Sequence, residues 1–337
     1  MINNKREKFI LTVLILTVLI FITFFISLSL GSFSINSGEI IKTLLGQGTN
    51  KQQIVIFSIR LPRIILAVLV ATGLAVSGTV LQGISKNDLA APGILGINSG
   101  AALAVVIYIY YMNGNVYAGI SNITIFTMPL MALLGAAAGA FSIYILAWQK
   151  GIDPKRLVLI GIGVNAAFQA LLIIFQLKFT TQEFNRVMVW INGSIWGSNW
   201  KYVITTFPWI ITILILIYYR ARYLDLLNLG DELATGLGLD VEKERRLLLI
   251  FAVILAGVAT AVAGSISFLG LISPHISRKL IGAQHKMLIP VASLMGVFLL
   301  LAADIIGRNL FSPVELPVGI VMSIIGVPYF IYLMTKE

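Results

Sequence analysis

Ala67-Val68-Leu69-Val70-Ala71, followed by Ala75-Val76-Ser77-Gly78, returns in the second half of the chain as Ala252-Val253-Ile254-Leu255-Ala256, followed by Ala261-Val262-Ala263-Gly264. Both copies lie inside long apolar runs. A helix needs about 20 apolar residues to cross roughly 30 Å of hydrocarbon. Runs of that kind lie near 9–30, 61–83, 92–111, 123–148, 156–177, 202–219, 246–267, 287–306 and 315–333, with a shorter one at 268–282. The two copies are then spans two and seven, an odd number of crossings apart, so the halves run upside down relative to each other. Inverted repeats mark transporter folds, and Gly/Pro-interrupted segments at matching places in the halves point to the pathway. Leu89 to Gly100, which contains Asn98, and Gly270 to His275 fit that description. Small residues also recur wherever helices pack closely, so a chance likeness of two Ala/Gly-rich helices is the alternative.

Composition agrees with a polytopic membrane protein: 58% of residues are hydrophobic and 11% charged, and the mean hydropathy is +0.95. Soluble domains carry about 25% charged residues. The first run follows Lys5, Arg6 and Lys8 but exceeds the h-region of a signal peptide, so it reads as an uncleaved first span. The net charge of +10 is a topology signal, because Lys and Arg accumulate on the cytosolic side. Counted loop by loop, including Lys86, Lys150, Arg220, Arg245, Arg278 and Lys279, it favours ten spans with both termini cytosolic. There is no cysteine, and His275 and His285 are the only histidines. Disulfides and thiolate sites are thereby excluded, and no protein-built metal site is expected.

Polar features fall into three groups. Arg60 and Arg63 flank Leu61-Pro62 at the start of span two, and Arg308 ends span nine on the same, outer side. They suit pairing with carboxylates of an acidic partner or anchoring on lipid phosphates. Within span five Asn165, Gln169 and Gln176 fall on one helical face, where they either line a polar path or hydrogen-bond a neighbouring helix. Asp304 and Glu315 are the acids near span ends, both close to Arg308. That scarcity of intramembrane carboxylates argues against an ion-coupled carrier. Ser34 to Leu45 suits an interfacial helix, and Trp190, Trp196 and Trp200 suit an aromatic belt. His275 reads as structural.

The long polar stretch 221–245 forms a cytosolic loop with a short helix. Asp231 and Glu232 open it, Leu229, Leu233 and Leu237 share a face at a spacing of four, Gly230 lies within the run, and Gly236 and Gly238 end it. An apolar face on a polar loop needs something to bury against, either the chain's own span ends or a socket in another subunit.

Several motifs together resemble the FecCD-type (BtuC-like) permeases of ABC importers for iron-siderophores, haem and cobalamin. They are Arg60-Leu61-Pro62-Arg63, Ser77-Gly78 with Leu81-Gln82-Gly83, Leu89-Ala90 through Pro92 and Leu95-Gly96, Trp190 with Gly193-Ser194, Gly270-Leu271 with Pro274-His275, Ala303-Asp304 with Arg308, and Glu315-Leu316-Pro317-Val318-Gly319 with Ile325-Gly326-Val327-Pro328. Asn87-Asp88-Leu89-Ala90 departs from the family's Asn-Pro-Leu-Ala, and Ser273 stands where a branched apolar residue is usual. The resemblance implies an all-α permease forming one transmembrane domain over 1–337, with ten spans and a second permease subunit, identical or paralogous. It implies a cytosolic ATPase dimer gripping 221–245, and an extracellular or lipoprotein substrate-binding protein meeting Arg60, Arg63 and Arg308. It also implies that span five lines the path. ATP would be used by the partner ATPase, since no G-x-x-x-x-G-K-[ST] loop is present. The expectation is therefore a non-enzymatic permease of the bacterial cytoplasmic membrane that moves a ferric siderophore by alternating access, without nucleic acid or bound metal. Haem, cobalamin and an ion-coupled carrier are the alternatives.

Overall fold

The computed structural model describes residues 2–31, 33–93, 96–111, 124–148, 154–312 and 314–336. Ile94, Leu95 and Lys150, used above, lie outside the described residues. Among those residues the order is α1 Ile2–Ser29, α2 Ser37–Leu44, α3 Asn50–Gln53, a π-helical stretch Ile54–Arg60, α4 Leu61–Ser85, α5 Ile97–Tyr111, α6 Thr124–Ala147, α7 Pro154–Gln176, α8 Thr181–Ile191, α9 Trp200–Tyr219, α10 Ala221–Asn228, α11 Asp231–Gly236, α12 Val241–Ala263, α13 Leu269–Ile281, α14 His285–Asn309 and α15 Val318–Lys336. Among the described residues, seven helices are long and apolar enough to cross a bilayer unaided. With α5, α13 and α15 they occupy the ten expected spans.

The repeat is real in three dimensions. Helices α4 and α12 pack against each other, α4 packs on α14 as α12 packs on α6, and α5 packs on α6 as α13 packs on α14. Small residues make the central crossing possible. Ser77 Oγ donates to the Ala252 carbonyl at 2.7 Å, and a Cβ on Gly73 would stand 3.2 Å from the Leu255 carbonyl. Gly78 is required outright, because a Cβ there would lie 1.7 Å from the Gly270 carbonyl oxygen.

Two spans are short for a geometric reason. The 13 residues of α13 rise about 20 Å, well below the roughly 30 Å of hydrocarbon. Non-helical backbone, Gly264 to Phe268 before α13 and Ala90 to Gly93 before α5, makes up the difference. Such backbone is tolerated at membrane depth only when buried in protein or lining a cavity. Ser194 N–H donates to the Ala263 carbonyl at 2.8 Å and Gly319 N–H to the Gly193 carbonyl at 3.0 Å. Gly264, at φ +69°, leaves no room for a Cβ, which would stand 2.0 Å from the Trp190 carbonyl oxygen. This close packing accounts for the Trp190, Gly193-Ser194 and Gly319 motif.

The interfacial helix appears as α2, shorter than the predicted 34–45. Helix α8 is new: its residues are too polar and too few to read as a span.

Candidate translocation site and coupling loop

Both interrupted segments open on one cavity of about 390 Å³. Ala91, Pro92, Gly93 and Asn98 come from the first half, and Gly270 and Leu271 from the second. Phe268 and Phe330 add aromatic surface, and Asn165 and Gln169 on α7 face the same space. Of the predicted amide stripe, Gln176 does not line the cavity; it lies about two turns further along α7. Asn98 is 4% exposed, and its Oδ1 accepts from Thr260 Oγ1 of α12 at 3.2 Å.

At the end of α4 that bears residue 61, the three arginines face inward. Arg60 is only 5% exposed, and its guanidinium donates to the carbonyls of Leu28, Ser29 and Phe33. Arg308 Nη2 donates to Ser27 Oγ at 2.8 Å and to the Ser27 carbonyl at 3.2 Å. The last carbonyls of a helix have no intrahelical donor and carry the negative end of its dipole, so two arginines cap α1. Arg60 is the last residue of the π-helical stretch Ile54–Arg60. Arg63 instead grips Asp304, from Nε at 3.0 Å and Nη2 at 2.8 Å, and Glu315 at 2.8 Å. Asp304 also lies 3.3 Å from Arg308 Nε. A carboxylate held between two guanidiniums is no proton relay, which strengthens the case against an ion-coupled carrier.

The loop at the opposite end of α4 is tied down by charge and open on its apolar face. Asp231 accepts from Arg245 Nη2 at 2.8 and 2.9 Å and from Lys86 Nζ at 3.0 Å. Burial alone would raise the Asp231 pKa, but hydrogen bonds and charge from Arg245 and Lys86 outweigh it and hold the group below the usual carboxylate range. Lys86 ends α4 in the left-handed conformation, which places its ammonium beside the loop. On α10, Asp225 Oδ1 accepts from the His285 backbone N–H at 2.9 Å and from its ring Nδ1 at 2.7 Å. Arg220 pairs with Glu244. The expected single helix carrying all three leucines is broken at Gly230, at φ +113°: Leu229 caps α10, Leu233 lies on α11 and Leu237 caps it. The three are nevertheless 55%, 63% and 64% exposed, while Ala234 of α11 is fully buried. The chain's own span ends therefore do not cover the leucine stripe. Asp231 is an anchor rather than a free contact, and sequence reading missed its partners Lys86 and Arg245 because they are brought to it by the fold.

The departures from the family pattern have local explanations. Asn87 Oδ1 accepts from Leu89 N–H at 2.9 Å, shaping the turn without proline, and Asp88 pairs with Arg278. Ser273 Oγ donates to the Leu269 carbonyl one turn back at 2.5 Å.

Comparison with known proteins decides the class. The model of the FecCD transport family matches residues 19–336. The chain belongs to this family. It is 51% identical over 334 residues to the iron(3+)-hydroxamate import system permease protein FhuG of Bacillus subtilis (strain 168), covering 99% of each chain. It is 38% identical over 290 residues to the Fe(3+) dicitrate transport system permease protein FecD of Escherichia coli (strain K12), covering 86% of this chain and 88% of that one. A solved structure assigned to the metal-chelate type of ABC transporter, in an inward-facing conformation, superposes with a TM-score of 0.83 at 32% identity, over 96% of this chain and 99% of that chain. The protein is thus a multi-pass membrane permease of an ABC importer, a transporter whose class works with an ATPase, a substrate-binding protein and a second permease.

Proposed function

We propose that this permease imports a ferric siderophore by ATP-driven alternating access. The observation that carries the reading is the meeting of the two inverted, interrupted segments at one cavity that also takes Asn98, Asn165 and Gln169, the arrangement expected of a substrate path. Relatives named for ferric hydroxamate and ferric citrate support iron chelates as the cargo. The loop 221–245 lies in the cytosol together with both termini, in keeping with the basic residues around it. Its leucine stripe enters a socket on a cytosolic ATPase dimer that supplies the ATP chemistry, and Asp231 and Asp225 carry the push into α4, α12 and α14. The opposite end receives an extracellular binding protein. There Arg63 and Glu315 offer the contact surface, with Arg60 and Arg308 shaping it from within. Asn98, Asn165 and Gln169 line the path shared with a second permease, identical or paralogous.

Reconstitution tests this reading. Proteoliposomes holding the permeases, the ATPase and the binding protein should accumulate radio-iron from a ferric siderophore only with ATP on the loop side. Uptake driven by an ion gradient in the absence of the ATPase would overturn it.

A further inference from the structure

The turn that leads into the first-half wall of the cavity carries a charge that the turn itself does not use. Asn87 to Ala90 form a β-turn closed by the Ala90 N–H on the Asn87 carbonyl at 3.0 Å, and the chain continues into Ala91, Pro92 and Gly93 on the cavity wall. Asp88 holds the second position of this turn, where proline is favoured because its fixed φ suits the bend. Proline is also what the family has there. Asn87 shapes the turn through the Leu89 N–H, which leaves the Asp88 carboxylate free to reach Arg278 on α13. A local backbone restraint is thus exchanged for a link between the two halves of the inverted repeat.

Burial decides which side of that link gives way. Arg278 is also held by α4, where Gln82 Oε1 accepts from its Nη2 at 3.3 Å. Gln82 is 1% exposed, and its Nε2 donates at 3.3 Å to the carbonyl of Leu271, itself on the cavity wall. Parting α4 from α13 would strand this buried amide, which is costly. The Asp88 and Arg278 side chains are 40% and 20% exposed, so the carboxylate can return to water cheaply, as in other solvent-facing pairs.

We propose that Asp88 and Arg278 form an ionic clasp, releasable on the Asp88 side, that holds the 87–93 wall of the cavity against α13 in place of a stiff proline turn. This rests on the importer reading, in which the halves move against each other, and deepens it by making the seating of one wall depend on charge. Ionic strength then becomes a control on that wall, because a half-exposed pair is screened by salt.

The chain contains no cysteine, so Ala91→Cys places a single reporter thiol in this wall, at a position 6% exposed. Its labelling by an uncharged maleimide is timed on the permease band of the nucleotide-free permease–ATPase complex in nanodiscs. In this reporter background Asp88→Asn and Asp88→Pro should each label about threefold faster at low salt, in keeping with the loss of one half-exposed ion pair. Asp88→Pro preserves the turn, so its acceleration reports the lost charge and not a lost bend. Salt at about 1 M, where the screening length is about 3 Å, should raise the parent to the rate of the two variants and leave theirs unchanged. Either variant labelling at the parent's rate, or a parent indifferent to salt, would overturn the clasp. Labelling needs no transport, so failure of the importer reading is seen separately, as absence of ATP-dependent iron uptake by the complete reconstituted system.

Discussion

The two ends of this bundle handle their functional groups in opposite ways. At the Arg60 end the guanidiniums of Arg60, Arg63 and Arg308 are turned inward onto carbonyls or carboxylates of the same chain. At the loop end Asp225, Asp231 and Glu244 are likewise paired internally, yet three leucines stand in the open. Charged groups can find partners at long sequence distance and still leave a solvated rim. The three leucines on and beside α11, whose Ala234 is already packed inward, have nothing left in their own chain to cover them. Exposed leucines outside the spans call for a cover that this chain does not supply, whereas the arginines are already satisfied within it.

The comparison breaks most severely at Asp304. Asp304→Asn leaves Arg63 and Arg308 short of their buried counter-ion and should cost about 3–5 kcal/mol of stability, read as a large drop in the detergent melting temperature. Wild-type melting would show that the cluster is a docking surface rather than a structural lock. Next, Leu233→Asp should remove about 1.5–3 kcal/mol of burial from the ATPase contact, measured as loss of ATPase co-purification with melting unchanged. Retained co-purification and transport would mean that the stripe faces something else. Asp225→Asn weakens a charge-assisted tie to His285 worth about 1.5–3 kcal/mol. ATP hydrolysis should then proceed with reduced iron uptake, and full coupling would exclude that tie from force transmission.

Smaller effects sharpen the contrast. Glu315→Gln releases one donor of Arg63 and should tighten binding-protein docking at low salt by no more than about 1 kcal/mol; weaker docking would show that Glu315 itself meets the partner. Asp231 supplies a pH signature. Its pKa lies below the ordinary 3.8, so its contribution is fully present above that value and is lost as pH falls through the lower, folded value. The melting difference between wild type and Asp231→Asn should persist down to about pH 3.8 and close only below it. A difference that already closes near pH 5 would contradict the Arg245 and Lys86 anchoring.

Much of the fold was legible in the chain because a bilayer imposes a length and a hydropathy on each span. Ten apolar runs predicted ten helices, and the repeat predicted their inverted pairing. The site was legible in part: Asn98, Asn165 and Gln169 do meet at one cavity, whereas Gln176 shares their helix but lies beyond its reach. Helical periodicity fixes a face, not the height at which a neighbouring element opens a space. The roles of Arg60 and Arg308 as caps of α1 were invisible, since nothing local to either residue marks carbonyls at Leu28 or Ser27 as their targets.

Sequence alone determined the membrane class, the spans, the inverted repeat and the amphipathic loop, because each is set by patterns within a few turns of chain. Tertiary structure decided which charges neutralise each other and which leucines stay uncovered. Those outcomes depend on contacts between residues as far apart as Arg63 and Glu315 or Ser27 and Arg308, and only the packed bundle brings such groups within hydrogen-bonding distance.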